Sequence, residues 1–171
     1  MSIFAKDNRK DYLPAPEGLH QAVCIDVVDL GLQETPWGAK EKVEVRWQLE
    51  VDNPETSKPF LVVKRYTLSL NEKATLRHHL EAWRGKKFTT EELAGFDLEK
   101  LLGANAQVQV VHNVTDEGRT YSNVQAVVPL GKGMVKMGMS ADYIRMKDRE
   151  TQRGTGNGGT TGGEDDDSIP F

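Results

Sequence analysis

Residues 42–51, Lys-Val-Glu-Val-Arg-Trp-Gln-Leu-Glu-Val, decide the fold of this chain. Val43, Val45, Trp47, Leu49 and Val51 fall on one side, and Glu44, Arg46, Gln48 and Glu50 on the other. A two-residue period of this kind predicts a strand with one apolar and one polar face. Asp52-Asn53-Pro54-Glu55 ends it with turn residues. Upstream, Leu19, Val23, Ile25 and Val27 oppose His20 and Asp26, which predicts a strand of about ten residues from Leu19. The stretch 31–40 between them contains two glycines and a proline and reads as a hairpin loop. Residues 1–18, with Pro14 and Pro16, read as an extended lead-in.

Downstream, a third strand is expected from about Phe60 to Leu70. Phe60, Val62, Tyr66 and Leu68 share a face with Lys64 there, and a bulge near Lys64 and Arg65 would reconcile the parity. Asn71 is a candidate N-cap for a helix reaching Trp83, with Leu76, Leu80 and Trp83 as its buried stripe. Thr89-Thr90-Glu91-Glu92 fits a capping box for a short second helix ended by Gly95, and Asp97 caps a brief turn closed by Gly103. Strand four is expected over Ala106–Val114 and strand five over Arg119–Leu130, joined by Asp116-Glu117-Gly118. In strand five, Val124, Ala126, Val128 and Leu130 are placed inward and Arg119, Tyr121, Asn123 and Gln125 outward. The order β-β-β-α-β-β is that of the OB-fold, a small Greek-key barrel whose binding face lies on strands two and three. An SH3-like barrel or a small sandwich shares the strand count. The expected class is mainly β: a five-stranded OB-fold barrel over residues 19–130, with a helical segment between strands three and four.

Beyond the barrel, residues 131–152 form a Met/Gly-rich extension in which Ser140 could cap a short helix over 141–149. Residues 153–163 form a Gly/Thr linker, long enough as random coil to span roughly 20 Å. Residues 164–171 form an acidic tail, expected to be disordered. The net charge of −4 is not that of a strong phosphate binder. Its distribution is uneven, with −3 over residues 1–130, +3 over 131–163 and four acids at Glu164–Asp167. Within the domain, residues 58–87 hold eight bases against Glu72 and Glu81, a local excess of +6 that marks a candidate phosphate surface.

Catalytic and metal-binding constellations are not expected. Of the four histidines, the adjacent pair His78–His79 diverges on a helix and cannot chelate as an i, i+4 pair would. No phosphate-binding glycine loop with its lysine and no serine elbow occurs, so neither an enzyme nor a cofactor site is expected. A single cysteine, Cys24, within an apolar run suits a reducing compartment. With no basic-then-apolar leader and no run of about 18 apolar residues, the chain is expected to be cytoplasmic.

What the composition does supply is equipment for single strands: cations that track a backbone and aromatic planes on which bases stack. The candidate DNA-binding residues are Trp37, Tyr66 and Tyr121, interleaved with Lys40, Lys42, Arg46, Lys64, Arg65 and Arg119. Trp47 and Trp83 lie on apolar stripes and read as core. The chain ends Asp165-Asp166-Asp167-Ser168-Ile169-Pro170-Phe171, an acidic run capped by two apolar anchors around a stiffening proline. This tail resembles that of bacterial and bacteriophage single-stranded DNA-binding proteins, most closely the phage-encoded ones. The resemblance implies single-stranded DNA as ligand. It also implies docking of replication and repair proteins (polymerase, helicase or primase type) on Asp165, Asp166, Asp167, Ile169, Pro170 and Phe171, in a bacterial host cytoplasm. The N-terminal strand signature of the tetrameric bacterial proteins and their Met-Asp-Phe tail opening are missing, so tetramer assembly and stacking positions do not carry over, and self-association stays open. The competing expectations are an OB-like protein-interaction adaptor, with segment 58–87 docking an acidic partner, and an annealing or recombination mediator.

Overall fold

The periodicity of β2 is realised in space, but on both faces rather than one. In the computed structural model, which describes residues 13–149, Val43, Val45, Trp47 and Leu49 of β2 (Gly38–Asn53) enter the core. On the face expected to meet solvent, Glu44 and Gln48 are also buried, at 4% and 6% exposure. Most of the lead-in and all of the linker 153–163 and tail 164–171 lie outside the described residues.

Five strands form one antiparallel sheet in the order β3-β2-β1-β4-β5, with β1 (Gly18–Thr35) at its centre. The stretch 31–40 is not a loop. β1 and β2 stay paired to Thr35↔Gly38, so these residues are the end of a two-stranded ribbon turning at Pro36 and Trp37. The Thr35 hydroxyl closes the turn, donating to Gly38 O at 2.6 Å and accepting from Trp37 N at 3.2 Å. Gly31, at φ 65, marks a register shift rather than a strand end.

β3 (Lys58–Thr67) pairs with β2 without interruption from Lys42↔Thr67 to Gln48↔Leu61, so the bulge expected at Lys64 and Arg65 is absent. Lys64 stays on the inward side and donates to Asn123 Oδ1 at 3.1 Å. In β5 (Thr120–Val128) a register shift between the Gln109↔Ala126 and Val110↔Val124 pairs switches the parity. Val124 and Val127 are the buried positions there, not Ala126, Val128 and Leu130. β4 spans Asn105–Val114.

Helix α1 (Thr75–Arg84) buries Leu76, Leu80 and Trp83, and Gly85 ends it in the left-handed region. Asn71 does not cap it. Its side chain accepts from Lys73 N in a preceding turn, while Ala74 occupies the cap position without a side-chain bond. The capping box of α2 (Thr90–Ala94) forms as expected between Thr89 and Glu92, and Asp97 caps a 3₁₀ turn at Leu98–Leu101. Trp83 packs on Trp47 with ring centroids 5.9 Å apart and donates from Nε1 to Asn105 O. No described helix is long and apolar enough to cross a membrane.

The sheet is not closed into a barrel: β3 and β5 are its edges and share no ladder. Side chains and α1 occupy the seam instead. Besides Lys64–Asn123, the Tyr66 hydroxyl donates to His79 Nδ1 at 2.7 Å, and the His79 ring is hydrogen-bonded to the backbone of Gln125. This network holds β3, α1 and β5 together, with His79 as a neutral imidazole that accepts through one nitrogen and donates through the other.

Burial, with the Lys64 ammonium adding to it, lowers the His79 pKa from its ordinary 6.5. Below 6.5 the unfolded chain takes up a proton that the folded chain still refuses, so stability falls as the pH drops below that value and is unaffected above it. Urea midpoints measured at about pH 7.5 and about pH 5.5 should therefore differ less in His79→Gln than in the wild type. An unchanged difference would show that His79 does not sense the acid limb.

Candidate nucleic-acid interface

Pairing across the sheet sets which side chains share its outer face. Glu44 stands opposite Arg65, Arg46 opposite Val63 and Asp26, and Gln48 opposite Leu61 and Val23. The cations here are largely engaged. Glu44 accepts from Arg46 Nε at 2.7 Å and from Arg65 Nε at 3.2 Å, and Lys42 Nζ donates to Thr67 Oγ1 at 2.7 Å. A buried carboxylate between two guanidinium groups is satisfied, and its single charge offsets one of their two, which leaves the trio at +1.

Half of this face is roofed by the chain's own segment 134–149, which acts as a strap. Its part 141–149, expected as a short helix capped by Ser140, is helical only over 146–149 among the described residues. Asn105 anchors it on β4, accepting from Met137 N at 2.8 Å and donating to Met137 O at 2.9 Å, and Ser140 N donates to Gln48 Oε1 at 2.9 Å. The central anchor is Asp26, 1% exposed. Its carboxylate accepts from Tyr143 OH and Met146 N, each at 2.9 Å, and from Arg145 Nε at 3.1 Å. Arg145 then forks onto Glu99 at 2.8 and 3.0 Å, which ties the strap to the 3₁₀ turn. Burial alone would raise the Asp26 pKa, but the hydrogen bonds from Met146, Arg145 and Tyr143 outweigh it and hold the carboxyl below its ordinary 3.8.

The uncovered part runs onto the β1–β2 ribbon. Trp37 at its tip is 85% exposed, Leu32 further back on the ribbon is exposed too, and Lys40 has no side-chain partner among the described residues. Tyr121 is half-exposed next to Arg119 at the β4–β5 turn. The register puts that turn beyond the Gly18 end of β1 and Trp37 beyond its Thr35 end, so the two aromatics occupy opposite ends of the central strand. Tyr66, expected to stack bases, is not available for it: at 3% exposure its ring is core and its hydroxyl is spent on His79. Lys64 likewise serves the β3–β5 seam rather than the outer face.

The +6 segment is not one surface. Lys58 pairs with Asp142 across to the strap, Arg77 with Glu81 along α1, and Arg84 with Glu92 while stacking on Phe88. The remaining cations divide between β3 and the two ends of the helix. Sequence reading missed Asp26, Tyr143 and Arg145. The available signal was a lone carboxylate inside the apolar run Val23–Val28, facing an extension too apolar for a linker. Among the described residues no group of three or more His, Cys, Asp or Glu converges to hold a metal ion. The Cys24 thiol is fully buried and pushed up to about 12, which makes it inert. No protein-family model matches the chain, and no curated protein matches it.

Removing the charge at the strap's anchor should loosen the strap without unfolding the sheet. Asp26→Asn is expected to lower stability by about 3 kcal/mol and to speed tryptic cleavage at Lys136, while Tyr143→Phe should cost about 1 kcal/mol. Equal cleavage rates in Asp26→Asn and wild type would show that Asp26 does not hold the strap.

Proposed function

We propose that this protein is a non-enzymatic binder of single-stranded DNA with little sequence preference, and that its acidic C-terminal residues recruit replication or repair proteins. The observation that carries the reading is Trp37. An indole at the tip of the β1–β2 ribbon is 85% exposed among the described residues, and Lys40 lies on the same ribbon. An exposed aromatic plane on the same ribbon as a cation without a partner among the described residues is the minimal unit of sequence-tolerant single-strand binding. The strand order, the helix lying against β3 and β5, and an outer face on β2 and β3 support an OB-type sheet whose closing seam is made by side chains.

The ligand would enter along the ribbon, with bases stacking on Trp37 and phosphates meeting Lys40, Lys42 and the rim of Arg65. Tyr121 and Arg119 extend the path only for a strand long enough to reach the far end of β1. The adaptor reading loses its main support, because the basic segment it needs is dispersed and half ion-paired. The tail, Asp165 to Asp167 with Ile169, Pro170 and Phe171, supplies charge and apolar anchors to a basic groove on a partner protein.

Trp37→Ala should weaken binding of an oligo-dT by roughly 1–3 kcal/mol in a fluorescence titration and leave the urea midpoint within about 0.5 kcal/mol of wild type. Affinity should fall with log salt at about −0.7 per phosphate neutralised, and duplex DNA of equal length should bind more weakly. Equal affinity for duplex and single strand would reduce the interaction to electrostatics and defeat the proposal.

Deleting residues 164–171 removes four side-chain acids that compete with phosphate for the same cations. The truncated chain should bind oligo-dT more tightly at low salt and lose capture of replication proteins from a bacterial extract. Retained capture would place partner binding elsewhere in the chain.

A further inference from the structure

We infer that the cleft between the strap and the β2–β3 edge is a seat for one unstacked nucleobase, an inference that rests on the single-strand reading above. The cleft holds about 210 Å³ and is walled by Pro59, Leu61 and Tyr143 over a floor of Gln48. That is below the roughly 300–1,000 Å³ of drug-sized sites and suits a single ring system. Its walls are set before any ligand arrives. The Tyr143 hydroxyl donates to Asp26, which fixes the ring, and Leu61 is 43% exposed, an apolar surface that a base would cover.

Gln48 gives the seat a chemical preference. Its Oε1 accepts from Ser140 N at 2.9 Å, which settles which end of the amide is oxygen. The amide NH₂ is left as a donor with no partner among the described residues, on a side chain only 6% exposed. A donor so placed calls for an acceptor, and thymine, cytosine and guanine offer an exocyclic carbonyl oxygen, whereas adenine offers only ring nitrogens. At the rim stand Lys58 and Arg149, the latter with its guanidinium 5.1 Å from the Tyr143 ring centre, placed to meet the phosphates on either side of the base. Asp142 opposes them from the same rim, but its 3.5 Å pair with Lys58 is solvent-exposed and weak, so a phosphate can displace it.

The full chain is titrated with oligo-dT and oligo-dA as wild type, Gln48→Glu and Leu61→Glu, and is irradiated with an oligonucleotide carrying one 5-iododeoxyuridine. Gln48→Glu keeps an oxygen for Ser140 N–H but replaces the donor, and Leu61→Glu alters only the exposed wall. Both should weaken dT binding about tenfold and dA binding less, and the photocrosslink should map to Tyr143. If wild type binds oligo-dT while both variants bind it equally well, or if crosslinks form only at Trp37, the seat is overturned and single-strand binding stands. If wild type binds neither oligonucleotide, both are overturned. Gln48→Glu is scored only if its urea midpoint matches wild type, and Leu61→Glu decides the matter otherwise.

Discussion

A carboxylate in the middle of a β-sheet has to find donors or stay out of the fold, and among the described residues Asp26 finds two side-chain donors and one backbone N–H in a single segment. Tyr143, Arg145 and Met146 come from a segment more than a hundred positions further along the chain. Stripping the partners from a buried ion costs several kcal/mol, far more than an irregular segment can recover from backbone contacts alone. The strap is therefore held by the needs of Asp26, more than by any propensity of its own. Its docking covers Ile25 and Gln48 on a face that would otherwise be wet, and turns a one-sided sheet into a two-sided one.

The opposite side of the sheet faces a different constraint, an unpaired seam between β3 and β5. Open edges invite pairing with other chains unless something covers or charges them. Here α1 lies against both strands, Lys64 reaches across to Asn123, and the Tyr66–His79–Gln125 relay links strand, helix and strand. Each of these bonds is directional, so the seam has a fixed geometry without a ladder. The Trp47–Trp83 contact beneath it supplies the apolar area that the directional bonds then orient.

How much of this was legible in the sequence follows from which signals are local. The alternation of β2, the Leu76–Leu80–Trp83 stripe and the Thr89–Glu92 capping box are written within a few residues, and all three are realised. The ribbon at 31–40 was not legible, because a hairpin exposed on both faces carries no apolar alternation and its glycines mark a shift and a turn inside a continuing strand. The parity of β5 changes at a shift imposed by β4, which no local pattern encodes. The +6 segment misled for the same reason: neighbours in sequence alternate across β3 and wrap around α1, so a charge sum over thirty positions is not a surface. Asp26 and Arg145 meet across 119 positions, and neither residue announces the other.

These constraints set the terms on which such a protein could hold a polyanion despite a net charge of −4. On the outer face the single charge of Glu44 offsets one of the two on Arg46 and Arg65, and Lys42 is hydrogen-bonded to Thr67, so only a small positive excess is left to release counterions from a phosphate backbone. Each stacked base, by contrast, is worth about 1–3 kcal/mol whatever the salt. An interface poor in free charge and furnished with a projecting Trp37 would then draw its affinity from stacking more than from phosphate contacts. It would distinguish single strands from duplex, because only the former can present a base.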